Sequence, residues 1–212
     1  GALAITGTTT LTTSANNATI ALDNTTNVFT GVVTLSTAGS TGNATIDNGT
    51  TALNIGTSSV GGNLTLTSGN SITDSGTVTV GGNLAATTDG GIGNPAKYGA
   101  ITMDGLRVDG TVALITNGTG NATVVNDAGL NFAASTVRGN LSATATTGNI
   151  SDSGNLTVTG TSTFITGVSG SNIILDSSGN AFFNAVTLKA DAGGDETFGN
   201  ITFVDSGAVR LH

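Results

Sequence analysis

The sequence predicts an all-β solenoid, a coil of short parallel strands in which each turn stacks on the one before it. Three observations predict this fold: helix-forming residues are scarce, a unit of about 20 residues recurs, and short alternating apolar stretches are separated by Gly, Asn and Asp. At about 20 residues per coil, the chain would make roughly ten coils.

The composition favours strands and argues against several functions. The chain has 212 residues, with one Glu, no Gln, and five Lys and Arg together, so long helices are unfavourable. A net charge of −8 with scattered cations argues against nucleic acid or an anionic membrane surface as a partner. No apolar run approaches the ~18 residues of a membrane-spanning helix. No Cys is present to form disulfides or thiolate metal sites.

The repeat is clearest in the middle of the chain. Gly-Gly-Asn-Leu occurs at 61–64 and again at 81–84, after 20 residues. Residues 71–82 and 149–160 share seven of twelve positions, including Ile-x-Asp-Ser-Gly. Apolar residues alternate with Thr and Ser in stretches of three to five residues, which indicates strands with one buried and one solvated face.

The polar residues between the strands are predicted to form the corners of the coil. Gly, Asn and Asp tolerate the positive φ values that tight bends use, and each Asp-Ser-Gly aspartate is interpreted as a local turn residue. Equivalent corner Asn side chains (Asn63, Asn83, Asn140) are expected to stack into hydrogen-bonded ladders along the coil. The predicted structural corners are Asn63, Asp74, Gly76, Asn83, Asn140, Asp152, Gly154, Asp205 and Gly207.

The pattern Gly-Asn-Leu-Thr-Leu-Thr-Ser-Gly-Asn, followed by Ile-Thr-Asp-Ser-Gly and Val-Thr-Val, resembles the repeat regions of filamentous haemagglutinin-like exoproteins of two-partner secretion systems. The resemblance is best over 56–88 and 137–166. It implies a right-handed parallel β-helix, export through an outer-membrane β-barrel transporter, and a role in attachment, aggregation, biofilm formation or virulence. That family's secretion domain carries Asn-Pro-rich motifs. Here Asn94-Pro95 lies in mid-chain, so we expect a repeat segment instead.

We expect residues 1–212 to form a single β-helix domain, a fragment of a longer repetitive protein. Residues 89–110 interrupt the repeat and are predicted to be an irregular insertion. Loops on rigid scaffolds often carry recognition, so this segment is the candidate contact surface, against the alternative of a tolerated insertion. Its candidate binding residues are Lys97, Tyr98, Asp104, Arg107 and Asp109.

Metal and catalytic chemistry have little support in the sequence. Asp191, Asp195 and Glu196 gather three carboxylates, which Ca²⁺ favours, but a solvated acidic loop is the simpler interpretation. No other cofactor is expected. With one His, at the last position, and no Cys, the chain is predicted not to be an enzyme and has no candidate catalytic residue.

The predicted function is that of a stalk or adhesive repeat module of a secreted or cell-surface bacterial protein. Its expected partners are a host or bacterial surface receptor or glycan and the export transporter. End-to-end self-association is also open, because uncapped coil ends expose strand edges. The alternatives are a self-assembling filament or matrix subunit and, more distantly, a carbohydrate-active β-helix.

Overall fold

The computed structural model describes residues 1–90, 99–190 and 197–207, and these contain strands and no helix. The strands of the first half are β1 Ala4–Ile5, β2 Thr9–Thr12, β3 Ile20–Leu22, β4 Val28–Phe29, β5 Val33–Ser36, β6 Ala44–Asp47, β7 Leu53–Ile55, β8 Ser58–Val60, β9 Leu64–Ser68, β10 Ile72–Asp74, β11 Val78–Val80, β12 Leu84–Thr88 and β13 Ile101–Val108. Those of the second half are β14 Thr111–Ile115, β15 Ala122–Asn126, β16 Leu130–Phe132, β17 Ser135–Val137, β18 Leu141–Ala145, β19 Ile150–Asp152, β20 Leu156–Val158, β21 Ser162–Thr166, β22 Ile173–Leu175, β23 Ala181–Phe182, β24 Val186–Lys189 and β25 Ile201–Phe203.

The strands pair in parallel between successive turns, which confirms the all-β solenoid. Sheet 1 has 11 strands and runs from β2 to β24, sheet 2 has 12 strands and runs from β3 to β25, and β1 pairs with β4 alone. The solenoid has about 8 turns of about 21 residues. The described residues form fewer turns than the roughly ten coils expected from the length of the whole chain. Nine stacked levels in sheet 2 at ~4.8 Å make a column about 40 Å long.

Turn length varies because residues are added at the corners while the strands keep their register. The corner residues Asn63 and Asn83 are bonded across 20 residues, but Asn83 and Thr111 are bonded across 28. In the sequence, the added residues lie between β12 and β13. Leu84 of β12 still pairs with Val112 of β14, so the core column is continuous through this turn.

The core is a single narrow column between the two sheets. Every second residue of most strands is buried, as in β9, where Leu64 and Leu66 are buried and Thr65 is exposed. Toward the C-terminal end the column becomes aromatic. Phe132, Phe164 and Phe182 make edge-to-face contacts with ring centroids 6.1 and 6.0 Å apart, a geometry that stabilises aromatic pairs beyond their buried area.

Most turns combine two kinds of strand arrangement. One side carries an undivided strand of four or five residues, such as β9. The other side carries a divided pair, two strands of two or three residues separated by a corner, such as β10 and β11. An undivided strand followed by a divided pair accounts for the repeat of about 20 residues that the sequence shows.

The undivided strands change sides twice along the column. Two of them follow each other directly at β5 and β6, and again at β14 and β15, which we call the first and second switch. Between the switches the divided pairs lie in sheet 1, and after the second switch they lie in sheet 2. The two best repeat copies therefore occupy opposite sheets: residues 71–82 form β10 and β11 of sheet 1, whereas 149–160 form β19 and β20 of sheet 2.

At each switch an undivided strand is paired within its sheet with the two strands of a divided pair. The gap between those two strands leaves one main-chain N–H without a main-chain acceptor, and a buried serine accepts it instead. Strand β5 pairs with β7 at one end and β8 at the other, which leaves the Leu35 N–H between them. The Ser58 hydroxyl accepts that N–H at 3.0 Å and donates to the Gly56 carbonyl at 2.8 Å. Ser135 repeats the arrangement at the second switch with the Leu114 N–H and the Ala133 carbonyl.

On the opposite side of the column at each switch, a buried asparagine likewise supplies hydrogen-bond partners for main-chain groups. At the first switch, Asn48 Oδ1 accepts the Phe29 N–H, and its Nδ2 donates to the Phe29 and Ala52 carbonyls. At the second, Asn126 bonds both the N–H and the carbonyl of Val108 and donates to the Gly129 carbonyl. Both asparagines are at most 1% exposed, so these bonds satisfy main-chain groups that water cannot reach.

The corner glycines Gly76 and Gly154 are needed for close approach between turns, not for positive φ. Neither has a positive φ. A Cβ on Gly76 would overlap Thr57 of the turn before, and one on Gly154 would overlap the main chain of Ala134. At the predicted corner Gly207, by contrast, a Cβ would make only ordinary contacts with Asp205.

We expect Ser58→Ala to destabilise the fold by about 1–3 kcal/mol, because it leaves the buried Leu35 N–H without an acceptor. The adjacent Ser59 is exposed on the same strand, and Ser59→Ala is the matched control with little expected effect. Urea unfolding followed by circular dichroism measures both variants. Equal stability of the two variants would contradict the role assigned to the Ser58 hydroxyl.

Candidate contact surface

The outer face of sheet 1 carries a row of hydroxyl side chains in register, which we call the hydroxyl row. Strand pairing places each member directly over the one in the next turn, from β10 to β24. Successive members are therefore about 4.8 Å apart. The row consists of Thr73, Thr102, Thr123, Ser142, Thr163 and Thr187.

A second outward row runs beside the hydroxyl row over the last four levels of sheet 1. It consists of Val125, Thr144, Ile165 and Lys189, so apolar and polar side chains alternate along it. The Val125 and Ile165 side chains are half-buried by their neighbours. Together the two rows form a surface that offers hydroxyl groups and small apolar patches.

The predicted irregular segment 89–110 is partly regular, because residues 101–108 form β13, the longest strand among the described residues. It stays in sheet 1 through pairing with β10 and β11 on one side and β15 on the other, with a register shift between Met103 and Leu106. The second half of the segment is thus a bulged strand of sheet 1. Of its candidate binding residues, Lys97 and Tyr98 lie outside the described residues, as do the candidate metal ligands Asp191, Asp195 and Glu196.

Arg107 is bound along the column to a residue of the next turn. Its Nε lies 2.9 Å from Asp127 Oδ2, and both side chains are well exposed, at 61% and 43%. An ion pair this exposed contributes little to stability. Its main effect is to restrict the orientation of the exposed guanidinium.

The bulge of β13 is held by the carboxylate of Asp74, one turn earlier. Asp74 Oδ1 accepts the Asp104 N–H at 3.1 Å, and Oδ2 accepts the Gly105 N–H at 2.9 Å. The structure thus brings the predicted corner Asp74 next to the predicted binding residue Asp104. Burial raises the pKa of the Asp74 carboxyl, and the charge of Asp104 adds to the increase, while the two N–H groups act in the opposite direction.

Asp109 lies apart from this bulge, at the rim of a shallow groove of about 360 Å³. The groove crosses from the end of β13 to β16 and β19, and its polar lining includes Asn131, Asn149 and Ser151. Asn131 Oδ1 is buried and has no hydrogen-bond partner. No local sequence pattern indicates this groove, because its lining comes from three turns.

Corner asparagines form ladders, as expected, but on more than one corner. Asn63 Oδ1 accepts the Asn83 N–H at 2.8 Å, and Asn83 Oδ1 accepts the Thr111 N–H at 2.8 Å. Asn140 belongs to a separate ladder with Asn121 and Thr161. The expectation that Asn63, Asn83 and Asn140 share one line is therefore wrong, because the second switch lies between Asn83 and Asn140.

The aspartates of the Asp-Ser-Gly units accept hydrogen bonds from other turns. Asp152 accepts the Asp176 N–H at 3.0 Å and the Asn180 side-chain amide at 2.6 Å. Asp205 accepts the Phe182 N–H at 3.1 Å. With Asp74, all three stabilise the stacking of turns, a role that the interpretation as local turn residues did not include.

The described residues offer neither a cluster of metal ligands nor a membrane-spanning helix. Residues 1–90, 99–190 and 197–207 contain no group of three or more His, Cys, Asp or Glu side chains placed to hold a metal ion. They also contain no helix long and apolar enough to cross a membrane.

Acidification is expected to stabilise the wild type relative to Asp74→Asn. Because the pKa of Asp74 is raised in the folded chain, the folded state binds the proton more tightly than the unfolded state does. At neutral pH the ionised Asp74 carboxylate lowers the free energy of unfolding. This loss is recovered as the pH falls through the pKa of the folded state toward the pKa of the unfolded state. Urea unfolding over this range measures the difference, with Asp109→Asn as the exposed control. A relative loss of stability on acidification would contradict the prediction.

Comparison with known proteins identifies a family without an assigned function. No curated protein and no solved structure matches the chain. A family model described as repeats of unknown function (DUF5649) matches residues 1–36, 41–94 and 119–189. The unmatched stretch between the last two ranges contains β13 and β14, which is where the column has its bulge and begins its second switch. Since the matches cover most of the sequence, the chain belongs to the DUF5649 family of repeats.

Proposed function

We propose that the chain is a structural and adhesive repeat module, a stalk or passenger segment of a secreted or cell-surface bacterial protein. The observation that carries the proposal is the hydroxyl row, which repeats one kind of outward side chain over six levels of a rigid column. A surface of this kind suits contact with an extended partner, such as a glycan or another surface.

Rigidity supports the proposal, because a stalk must hold its contact residues at a distance. Main-chain hydrogen bonds join successive turns throughout the described column. Buried side chains fill the gaps in this network at both switches. With its ladders of corner asparagines on the outside, the column is restrained both at its core and at its corners.

The chemistry of the surface favours many weak contacts over one tight site. Each Thr or Ser offers one donor and two acceptor positions and a small contact area. Contacts of this kind gain strength when several engage at once, since each later contact forms at a high effective concentration. Adhesion, aggregation and biofilm formation all depend on such multivalent contact.

The setting of the proposed module follows the resemblance to filamentous haemagglutinin-like exoproteins. It implies export by an outer-membrane β-barrel transporter and display outside the cell, toward a host or bacterial receptor or glycan. A chain without Cys is compatible with this setting because its fold needs no disulfide.

Beads coated with the protein are expected to attach to epithelial monolayers and to bacterial cells, and the double variant Thr123→Glu/Thr163→Glu should reduce attachment several-fold. The two substitutions interrupt the hydroxyl row with charge while the inward residues stay unchanged. Thr45→Glu/Thr65→Glu makes the same charge change on paired outward residues of sheet 2 and is the control. Circular dichroism checks that all variants fold.

The outcomes separate the alternatives. Equal attachment of the two double variants would contradict a role for the hydroxyl row. Wild-type beads that attach no better than albumin-coated beads would contradict adhesion altogether. Sedimentation at increasing concentration tests the remaining alternative: a stalk segment keeps its mass, whereas a filament subunit grows.

A further inference from the structure

The chain contains two Asn-Gly pairs, and the fold treats them differently. Asn48-Gly49 follows β6 at the first switch, and Asn117-Gly118 lies in the turn between β14 and β15 at the second. Asn-Gly is the pair in which the following main-chain nitrogen reaches the side-chain amide with least steric hindrance, because Gly has no Cβ.

Asn117 is positioned for that approach. The Gly118 nitrogen donates to Asn117 Oδ1 at 2.8 Å, and Gly118 holds a φ of 60°. With a carbonyl bond of about 1.23 Å, Asn117 Cγ lies within about 4 Å of the nitrogen. Asn117 is half-buried and the next residue but one, Thr119, is exposed, so water reaches the turn.

Asn48 is held away from its glycine. Its side chain is fully buried, with Oδ1 on the Phe29 N–H at 2.6 Å and Nδ2 on the Phe29 and Ala52 carbonyls. The Gly49 nitrogen donates instead to Asp47 Oδ1 at 2.8 Å. Attack at Asn48 would require all of these bonds to break first.

We propose that Asn117 is a site of spontaneous deamidation with isoaspartate formation. The Gly118 nitrogen, after losing its proton to hydroxide, attacks Asn117 Cγ. The N–Cγ bond forms, the Cγ–Nδ2 bond breaks, and the amide nitrogen takes up a proton and leaves as ammonia. Water then opens the cyclic imide at one of its two carbonyls, giving aspartate or isoaspartate. In isoaspartate the main chain runs through Cβ and Cγ.

The product changes the second switch in two ways. Isoaspartate lengthens the main chain by one carbon in a turn closed by the bond from the Gly120 N–H to the Asn117 carbonyl at 2.9 Å. Either product adds a carboxylate close to Thr88, whose hydroxyl accepts the Asn117 N–H. The modification therefore alters the corner that connects β14 to β15 at the second switch.

The test incubates the folded protein at mildly alkaline pH and follows the two Asn-Gly peptides by mass spectrometry. Isoaspartate is detected with an isoaspartyl-directed carboxyl methyltransferase and a labelled methyl donor. The peptide with Asn117 should convert many times faster than the peptide with Asn48. In urea the two rates should become similar, because the bonds that hold Asn48 are then lost.

Two controls make the result decisive. Asn117→Gln should remove most of the methyl acceptance, since a glutamine forms the cyclic imide far more slowly. Asn121, an exposed corner asparagine followed by Ala, shows the rate of a residue without the Gly. The proposal is overturned if Asn117 reacts no faster in the folded protein than Asn48 or Asn121.

Discussion

The main-chain hydrogen bond between successive turns is the constraint on which this structure depends. In a solenoid each turn can satisfy its N–H and carbonyl groups only on the turns above and below, so every change in strand arrangement leaves groups to be paired in another way. The two switches show the solution. A buried Ser and a buried Asn at each switch supply the missing acceptor and donor, with the same partners in kind at both places. The corner asparagines and the Asp-Ser-Gly aspartates also accept main-chain N–H groups of neighbouring turns, at the outer corners of the column.

The repeat and its alternation were sufficient to predict the fold class and most of the inward residues, because each turn obeys the same local rule. They were not sufficient to predict which sheet a turn joins. Residues 71–82 and 149–160 are alike in sequence but lie in opposite sheets. Between them, two undivided strands follow each other at β14 and β15, and this moves the later divided pairs to sheet 2. One signal was available: Asn126 stands at an inward position after Ala122 and Val124, where an apolar residue would continue the pattern.

The candidate surface was less predictable than the fold. Thr102 joins the hydroxyl row only because the longer turn before it keeps the strand register, and a repeat of fixed length would place another residue there. Arg107 was identified as a candidate, but its partner Asp127 belongs to the next turn and has no fixed spacing in the repeat. Contacts between turns depend on corner lengths, and corner lengths are the least regular part of the sequence.

The change of sides has a geometrical consequence for recognition. Two sequence copies that lie on opposite sheets face away from each other, so a single flat partner can touch only one of them. The same column then presents related motifs in two directions at once. A rod built in this way can lie between two surfaces and bridge them, whereas a rod with all its copies on one side could only lie along one.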